Sequence, residues 1–450
     1  MQFTIHRPND FHSWQRPLHI LLDISRLLSV AGAATPSGID RVEAAYVARW
    51  LVEPPDRCTF VAYSPWGYFT ALPRSAVAAL HAALARGWAG ETLENAGRED
   101  AHRVKRACTA WLVAGRGRSR LARALAGPER CAFLLVSHKA MEKQEPIARL
   151  RRAGALFVPL IHDLIPATHP EYARPGVTAQ HLRRLATVAA LADGIIVNSS
   201  ATAAALRPHL SRRDGPPPIQ VAVLGVEPPD VPAAAGEPPY FIAVGTIEPR
   251  KNHLLLLHLW RDLAERYGPA TPRLRLIGKR GWENENVLDL LERCTVLRGL
   301  VTETGNLTDR HVAGLLRGAR ALLFPSFAEG YGLPLAEALA LGTPAICSNI
   351  SALREVGGDV PEYLDPLDGA AWRQRVLDFA RPDSRARETQ LRRLALWRRP
   401  RWEDHFAQVD ALLDEISGGR PARLRPEAAI RRPLAETTAL TIAARDAVPG

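Results

Sequence analysis

Short apolar runs recur along the first half of the chain, and each is followed by a polar or glycine-containing turn and then a helical pattern. Uninterrupted apolar runs of this length are typical of strands that are buried on both faces of a parallel sheet. The pattern predicts such strands at residues 18–23, 59–63, 131–136, 155–161, 194–197 and 219–223. Strands that alternate with helices at this spacing predict an α/β domain with a doubly wound parallel sheet.

A second series of the same kind follows a stretch rich in proline and small residues at 227–239. That composition is typical of a linker, so we place a domain boundary there and predict domains at residues 1–230 and 236–400. Strands of the second domain are expected at 240–244, 274–278, near 299–301, and at 321–324, 344–347 and 363–366. An amphipathic helix within residues 401–417 closes the pattern, and residues 418–450, rich in Arg, Pro and Ala, are predicted to be a disordered tail.

The chain is basic: its 450 residues include 58 Lys and Arg against 47 Asp and Glu, a formal net charge of +11. This charge favours anionic partners, such as a phosphorylated ligand or an acidic lipid. We see no recognition helix, RNA-binding aromatic motif or zinc finger, so nucleic acid is not expected as a partner. Five scattered cysteines, no secretory signal in residues 1–17 and no apolar run near the ~20 residues of a membrane span predict a cytoplasmic protein.

Residues 98–126 carry a dense group of cations with apolar residues between them. The cations are Arg103, Lys105, Arg106, Arg116, Arg118, Arg120 and Arg123. A basic segment interleaved with Trp111 and leucines can lie on an anionic bilayer, which would make the protein peripheral on the inner face of the plasma membrane. A solvated helix face is the more common explanation of such a pattern, and the sequence leaves both open.

The densest concentration of candidate chemistry follows the strand at 321–324. The loop after it holds Glu329, Gly330 and Gly332, and a helix is predicted from Pro334 with Glu337 in its first turns. Glycines let the backbone approach a ligand, and a helix N-terminus favours a negative group such as phosphate. A purely structural role would not require two carboxylates and two glycines at this position, so the stretch predicts a site for a phosphate-bearing ligand.

Other strand ends carry further candidate residues. Arg250 and Lys251 follow the strand at 240–244 and Gly245, and two adjacent cations at the start of a helix can hold a diphosphate. His162 follows the strand at 155–161, although a lone histidine is as often structural. Gly38 opens the helix after the first strand, and a flexible loop there is equally consistent with the spacing.

Together these motifs resemble family 4 of the retaining glycosyltransferases. The resemblance rests on residues 245–252 (GTIEPRKN), 324–334 (FPSFAEGYGLP), the Glu329/Glu337 pair and 348–356 (SNISALREV), with similar N-terminal signatures at 162–166 and 38–41. It implies a GT-B fold, in which two Rossmann-like doubly wound domains face each other across a cleft. The donor would bind the C-terminal domain, the acceptor the N-terminal domain, and the helix at 401–417 would pack back on the first domain.

The resemblance also implies roles for individual residues. The basic pair would stabilise the leaving diphosphate, Glu329 would hold donor-sugar hydroxyls, and Glu337 would accept hydrogen bonds from the ribose. His162 would reach the sugar from across the cleft. The remaining donor-binding positions, which border sugar or phosphate chiefly through backbone, are Gly38, Gly245, Gly330, Tyr331, Gly332 and Leu333.

The expected activity is therefore transfer of a hexose, with retention of configuration, from a nucleotide-diphosphate sugar to a glycan or lipid-diphosphate-linked acceptor in bacterial polysaccharide or O-antigen synthesis. Residues 23–26 (DISR) and 37–42 (SGIDRV) resemble members that use mannose, often from GDP-mannose. The chain has no Asp-x-Asp motif, so neither a metal nor another cofactor is expected. A sugar-nucleotide epimerase on the same fold and a non-catalytic sugar-nucleotide or lipid-binding homologue are the alternatives.

Overall fold

The computed structural model describes residues 18–418, except residue 34 and residues 91–95, 211–214 and 234–238, and except the side chains of 96–98. The predicted tail after residue 418, the first 17 residues and part of the predicted linker lie outside the described residues. Within the described part, the chain up to Gly418 forms one compact unit.

The described strands form two sheets. The strands of the first sheet are β1 (His19–Asp23), β2 (Cys58–Tyr63), β3 (Phe69–Ala71), β4 (Cys131–Leu135), β5 (Leu156–Ile161), β6 (Ile195–Val197) and β7 (Ile219–Val221). Their order is β3-β2-β1-β4-β5-β6-β7, and every pair is parallel except β2 with β3. The edge strand β3, which pairs back on β2 as a hairpin, was absent from the sequence prediction.

The second sheet is parallel throughout. Its strands are β8 (Tyr240–Val244), β9 (Arg273–Ile277), β10 (Val301–Thr304), β11 (Leu322–Phe324), β12 (Ala345–Ser348) and β13 (Glu362–Leu364), in the order β10-β9-β8-β11-β12-β13. Both sheets are thus doubly wound: successive strands are added first on one side of the starting strand and then on the other. The predicted fold class is confirmed.

Helices cover the sheets. Those of the first half are α1 (Ser25–Val30), α2 (Gly38–Val52), α3 (Arg74–Ala89), α4 (Ala96–Val113), α5 (Arg118–Leu125), α6 (Gln144–Arg152), α7 (Ile165–Thr168), α8 (Val177–Leu191) and α9 (Ser200–Leu206). Those of the second half are α10 (His253–Tyr267), α11 (Glu285–Arg293), α12 (Asp309–Gly318), α13 (Leu333–Ala340), α14 (Ser351–Gly357), α15 (Gly369–Ala380), α16 (Arg385–Leu394) and α17 (Trp402–Gly418).

The last helix, α17, packs against the first half of the chain. Its His405 is buried beside Tyr46 of α2, with 2.8 Å between Tyr46 Oη and His405 Nε2. Burial lowers the pKa of His405 to about 4, so the ring is neutral and can accept the tyrosine hydrogen. Asp410 of the same helix pairs with Arg49 at 2.8 Å. The chain therefore begins in the first half, crosses to the second and returns.

The hydrophobic core is continuous between the two halves. One cluster of buried apolar side chains contains Leu22 of β1, Leu322 of β11 and Phe406 of α17. Leu224 and Val226, at the start of the connection between the sheets, belong to the same cluster. Burial of apolar surface is the main force that stabilises a fold, so this shared cluster holds the halves in one arrangement.

Candidate functional site

The site lies where the winding of the second sheet changes direction. β8 and β11 are neighbours at this point, with β9 and β10 on one side and β12 and β13 on the other. The chains leaving β8 and β11 must part there, which opens a crevice beyond the carboxyl ends of the strands, the position where ligands bind in open α/β sheets. The loop after β8 carries Arg250 and Lys251, and the loop after β11 carries Glu329. The topology thus brings the two sequence motifs together.

The basic pair occupies a tight turn before α10. Residues Pro249–Lys251 form one turn of 3-10 helix, and Asn252 takes a left-handed conformation (φ 55°) before the helix begins at His253. Gly245 has φ 147°, and a Cβ atom there would lie 3.3 Å from Lys251 Cε. Glycine at this position therefore leaves room for the lysine side chain to lie across the end of β8.

Two carboxylates hold the two cations in place. Glu329 Oε1 lies 2.5 Å from Lys251 Nζ, and its Oε2 lies 2.9 Å from Arg250 Nη1. Glu248 pairs with Arg250 Nε at 2.6 Å, and Arg250 Nη1 also donates to the carbonyl oxygen of Ala328 at 3.0 Å. Lys251 Nζ sits 4.5 Å from the centre of the Phe324 ring. The position of each cation is thus fixed by at least two contacts.

Exposure differs within this cluster. The side chains of Lys251 and Glu329 are each 8% exposed, whereas that of Arg250 is 21% exposed. Burial disfavours the charged form of Glu329, but Arg250 and Lys251 outweigh it and lower its pKa to about 2. Burial lowers the pKa of Lys251, partly offset by Glu329. The carboxylate is charged at neutral pH, and Arg250 presents the accessible cation.

Glu337 lies in a different place from Glu329. Gly332 (φ 105°) precedes α13, Pro334 occupies its first turn, and Glu337 follows one turn later. Glu337 lines a cavity of about 160 Å³ together with Arg41 and Asp309. Burial and the nearby Asp309 raise its pKa, while Arg41 lowers it. The two glutamates of the motif therefore lie in separate places: Glu329 in the cluster with the basic pair, and Glu337 at the cavity beside Arg41 and Asp309.

The facing half of the chain contacts the Glu329 loop directly. Ser199 Oγ donates to the carbonyl oxygen of Gly330 at 2.6 Å, and Asn198 Nδ2 donates to the carbonyl oxygen of His162 at 2.9 Å. The His162 ring is 5% exposed, and its Nε2 donates to the carbonyl oxygen of Val136 at 2.8 Å. Burial lowers the pKa of His162, so the ring is neutral. The backbone of His162 packs against the loop, while its ring is anchored to β4's end.

Three of the other predicted positions meet at the same contact between the halves. Gly38 is the first residue of α2, and a Cβ atom on it would lie 2.8 Å from Leu333 Cδ1. Tyr331 is buried, and its hydroxyl donates to the carbonyl oxygen of Leu224 at 2.9 Å. The side chain of Tyr331 is therefore part of the core, and only its backbone remains available to a ligand.

Sequence reasoning missed the partners that join the two halves. Ser199 belongs to a polar group after β6 at the same sheet edge as His162, which is a signal that could have been used. Asp309 forms a bidentate ion pair with Arg41, with distances of 2.6 and 2.7 Å, but 268 positions separate the two residues. No local pattern could have connected them.

Gly330 lies so close to the backbone of His162 that a side chain at this position should destabilise the protein. A Cβ atom on Gly330 would lie 2.2 Å from the carbonyl oxygen of His162, so Gly330→Ala must displace the loop or the strand end. Overpacking of this kind costs about 1–3 kcal/mol. Urea unfolding should show that loss for Gly330→Ala, whereas Gly87→Ala, in α3 with no atom within 4 Å of the new methyl group, should be neutral or stabilising. Equal stability of both variants would contradict the close contact.

The Arg41–Asp309 pair should couple the two halves energetically. Side-chain exposures of 35% and 22% place it near the surface, so the coupling energy is expected to be about 0.5–1 kcal/mol and to fall with added salt. A double-mutant cycle with Arg41→Ala and Asp309→Ala, read by urea unfolding, measures it. Arg41→Lys should keep only part of the coupling energy, because lysine cannot form a bidentate pair with the Asp309 carboxylate. A coupling energy of zero at low salt would refute the pair.

Across residues 18–418 with their gaps, no group of three or more His, Cys, Asp or Glu side chains is arranged to hold a metal ion. Within the same residues, no helix combines the length and the apolarity needed to cross a bilayer.

Comparison with known proteins identifies the region that holds the site. Residues 228–360 match the family model described as glycosyl transferases group 1. O-antigen chain mannosyltransferase B from Escherichia coli is 37% identical over 174 residues, which is 38% of this chain and 44% of that protein. Serotype-specific mannosyltransferase WbdA from Escherichia coli is 30% identical over 253 residues, 51% of this chain and 30% of that protein. The chain thus aligns with less than half the length of each relative.

Solved structures agree with the architecture. The Anabaena protein Alr3699/HepE, crystallised in complex with UDP and glucose, has a TM-score of 0.59 with this chain at 13% identity and covers 88% of this chain and 100% of its own. At 13% sequence identity, this similarity is evidence for a shared fold and for nothing more specific. The chain has the GT-B fold, and its residues 228–360, which hold the site, match the model of the glycosyl transferases group 1.

Proposed function

We propose that this protein is a retaining glycosyltransferase that moves a hexose, with mannose expected, from a nucleotide-diphosphate sugar to a glycan or lipid-diphosphate-linked acceptor in bacterial surface-polysaccharide synthesis. The observation that carries the proposal is the cluster of Arg250, Lys251 and Glu329 at the switch point of the second sheet, inside the glycosyl transferases group 1 domain. The names of the two mannosyltransferase relatives support mannose, and the name of O-antigen chain mannosyltransferase B supports an O-antigen product.

The basic pair would stabilise the charge that grows on the departing diphosphate. Arg250 is the more exposed cation, so we assign it the direct contact with phosphate oxygens, and Lys251 adds charge from behind. Glu248 and Glu329 hold Arg250, and Glu329 holds Lys251, so little reorganisation is needed in the transition state. Preorganised charge of this kind is usually the largest single contribution to catalysis.

The donor sugar and nucleoside would lie along the loop and helix that follow β11. Gly330 and Gly332 keep this backbone free of Cβ atoms, and the N-terminus of α13 favours the phosphates. Glu329 would take the sugar hydroxyls and Glu337 the ribose hydroxyls. The neutral His162 would contribute a hydrogen bond or van der Waals contact from the facing half rather than a charge.

The first sheet would bind the acceptor. Its strands end at the same contact between the halves as the Glu329 loop, so an acceptor hydroxyl there could approach the anomeric carbon. In front-face transfer the leaving phosphate helps to deprotonate that hydroxyl, and the new bond keeps the configuration of the donor. We expect the reaction to need no metal, with the basic pair providing the stabilisation that a divalent cation gives elsewhere.

An acceptor-dependence assay tests this proposal. The purified protein is incubated with GDP-mannose, or with another nucleotide sugar, and a synthetic lipid-diphosphate oligosaccharide, in the presence of EDTA. A product with the anomeric configuration of the donor, which is α for GDP-mannose, is expected and is identified by NMR. Conversion of the donor sugar without an acceptor would favour an epimerase, and ligand binding without any turnover would favour a non-catalytic homologue.

A further inference from the structure

The first half of the chain has an exposed tryptophan at the edge of its sheet. Trp66 lies in the hairpin between β2 and β3 and is 62% exposed. Its indole Nε1 donates to the carbonyl oxygen of Val113, the last residue of α4, at 2.8 Å. The Val113 side chain is itself 47% exposed. Two apolar side chains therefore protrude side by side, and the hydrogen bond fixes the orientation of the indole.

Exposed cations lie on the segments next to this pair. Arg116 lies in the connection from α4 to α5, Arg118 is the first residue of α5, and Arg106 lies seven positions before Val113, on the same face of α4. All three arginines are exposed, and none forms an ion pair with another described residue. From residue 101 to residue 128 the sequence holds seven Lys and Arg and no Asp or Glu. The potential around the tryptophan is accordingly positive.

The location relates this surface to the candidate site. The hairpin follows the carboxyl end of β2, and because β2, β1, β4 and β5 run parallel to one another, β2 and β5 end at the same edge of the sheet. His162 and the contact with the Glu329 loop lie at the end of β5. A surface at the hairpin is therefore at the rim of the sheet edge where the acceptor is proposed to bind.

We propose that Trp66, Val113, Arg106, Arg116 and Arg118, here called the Trp66 patch, bind an anionic lipid bilayer. Tryptophan favours the boundary between headgroups and acyl chains, and arginines beside it pair with phosphate groups of anionic lipids. The proposal rests on the proposed function in one respect: it would bring the cleft to an acceptor whose lipid remains in the membrane.

The aromatic groups of this surface fit a bilayer better than a nucleic acid. Single-stranded nucleic acids bind through aromatic faces on which bases stack. Here the guanidinium of Arg116 lies over the Trp111 ring at 5.7 Å, and that of Arg118 lies over the Tyr68 ring at 5.0 Å. Those two faces are already occupied, whereas Trp66 and the aliphatic Val113 protrude together. A protruding apolar pair with exposed arginines on the neighbouring segments is the arrangement that penetrates a headgroup layer.

Vesicle co-sedimentation tests the Trp66 patch without any sugar nucleotide, so its outcome is independent of the proposed transfer reaction. The full chain is mixed with vesicles of phosphatidylcholine alone or with about 30% phosphatidylglycerol. Binding only to the anionic vesicles is expected, with the partition coefficient lowered roughly tenfold or more by Arg116→Glu with Arg118→Glu, and severalfold by Trp66→Ala. Transfer to a water-soluble acceptor by these variants should be unchanged.

A matched control separates the patch from net charge. Arg398→Glu with Arg399→Glu makes the same charge change at two exposed neighbouring arginines elsewhere and should leave vesicle binding within about twofold of the wild type. The proposal is overturned if the wild type ignores anionic vesicles, or if the control lowers binding as much as the patch variant. It is also overturned if the patch variants keep vesicle binding and lose only binding to single-stranded RNA.

Discussion

Replacement of Arg250 by alanine is expected to reduce the transfer rate, measured as kcat, by roughly 100- to 1000-fold, the usual effect of removing one preorganised group that stabilises transition-state charge. The side chain contacts Glu248, Glu329 and the Ala328 carbonyl and is the accessible cation of the cluster. The loss should appear in kcat more than in KM, because negative charge on the diphosphate increases as the sugar departs.

A surface arginine with a similar ion pair provides the control. Arg381 bonds both oxygens of Asp383, at 3.1 and 3.2 Å, at an exposed position. Arg381→Ala should leave kcat within about twofold of the wild type, as exposed ion pairs contribute little. If Arg250→Ala retained more than a third of the wild-type rate while its fold was intact, the assignment of the diphosphate to this cluster would be wrong.

Replacement of Glu329 should have the largest effect on stability. In Glu329→Ala the buried Lys251 and the partly buried Arg250 lose their shared carboxylate, and breaking a buried pair from one side costs about 3–5 kcal/mol. Urea unfolding at neutral pH measures this loss. Glu145 also binds two arginines, Arg149 and Arg152, but is exposed, so Glu145→Ala should change stability little. Similar stability of the two variants would contradict the burial of the cluster.

Because of the Glu329 carboxylate, the free energy of unfolding of the wild type should fall at acid pH. The pKa of Glu329 lies at about 2 in the folded protein against 4.5 for an ordinary glutamate, so its contribution is complete above about pH 5 and disappears as the pH falls towards 2. At 1.36 kcal/mol per pH unit, the full contribution is roughly 3 kcal/mol, of which about 2 kcal/mol is lost by pH 3. Glu329→Gln should lack this part of the pH dependence. If the free energy of unfolding varied with pH in the same way in the wild type and in Glu329→Gln, this contribution of Glu329 would be refuted.

Most of the fold could be predicted because parallel sheets leave a clear pattern. Strands such as β5 and β8 are apolar runs bounded by turns, so their positions followed from the sequence within one or two residues. The strand β3 was missed because Phe69–Ala71 is only three residues long and is held by pairing with β2 rather than by a pattern of its own. Edge strands of this length depend on tertiary contacts.

The candidate site was predictable where residues follow strands and not where distant segments meet. Arg250 and Glu329 could be paired from sequence because both follow central strands of one sheet. The separation of Glu337 from Glu329 and the pairing of Arg41 with Asp309 depend on how the two halves contact each other, which no local pattern encodes. The orientation of the His162 ring is another example: it is set by the hydrogen bond to the carbonyl oxygen of Val136, which the position of His162 after a strand does not predict.

A thermal-shift measurement with nucleotide sugars shows whether the donor binds at the cluster of Arg250, Lys251 and Glu329. GDP-mannose, UDP-glucose, UDP-GlcNAc, dTDP-rhamnose and the free nucleotides are each added to the purified chain. A ligand at about 100 times its Kd stabilises the native state by about 2.7 kcal/mol. We predict a shift with one nucleotide and its sugar conjugate, lost in Arg250→Ala and kept in Arg381→Ala. No shift with any nucleotide, or one that survives in Arg250→Ala, would contradict the placement of the donor at this cluster.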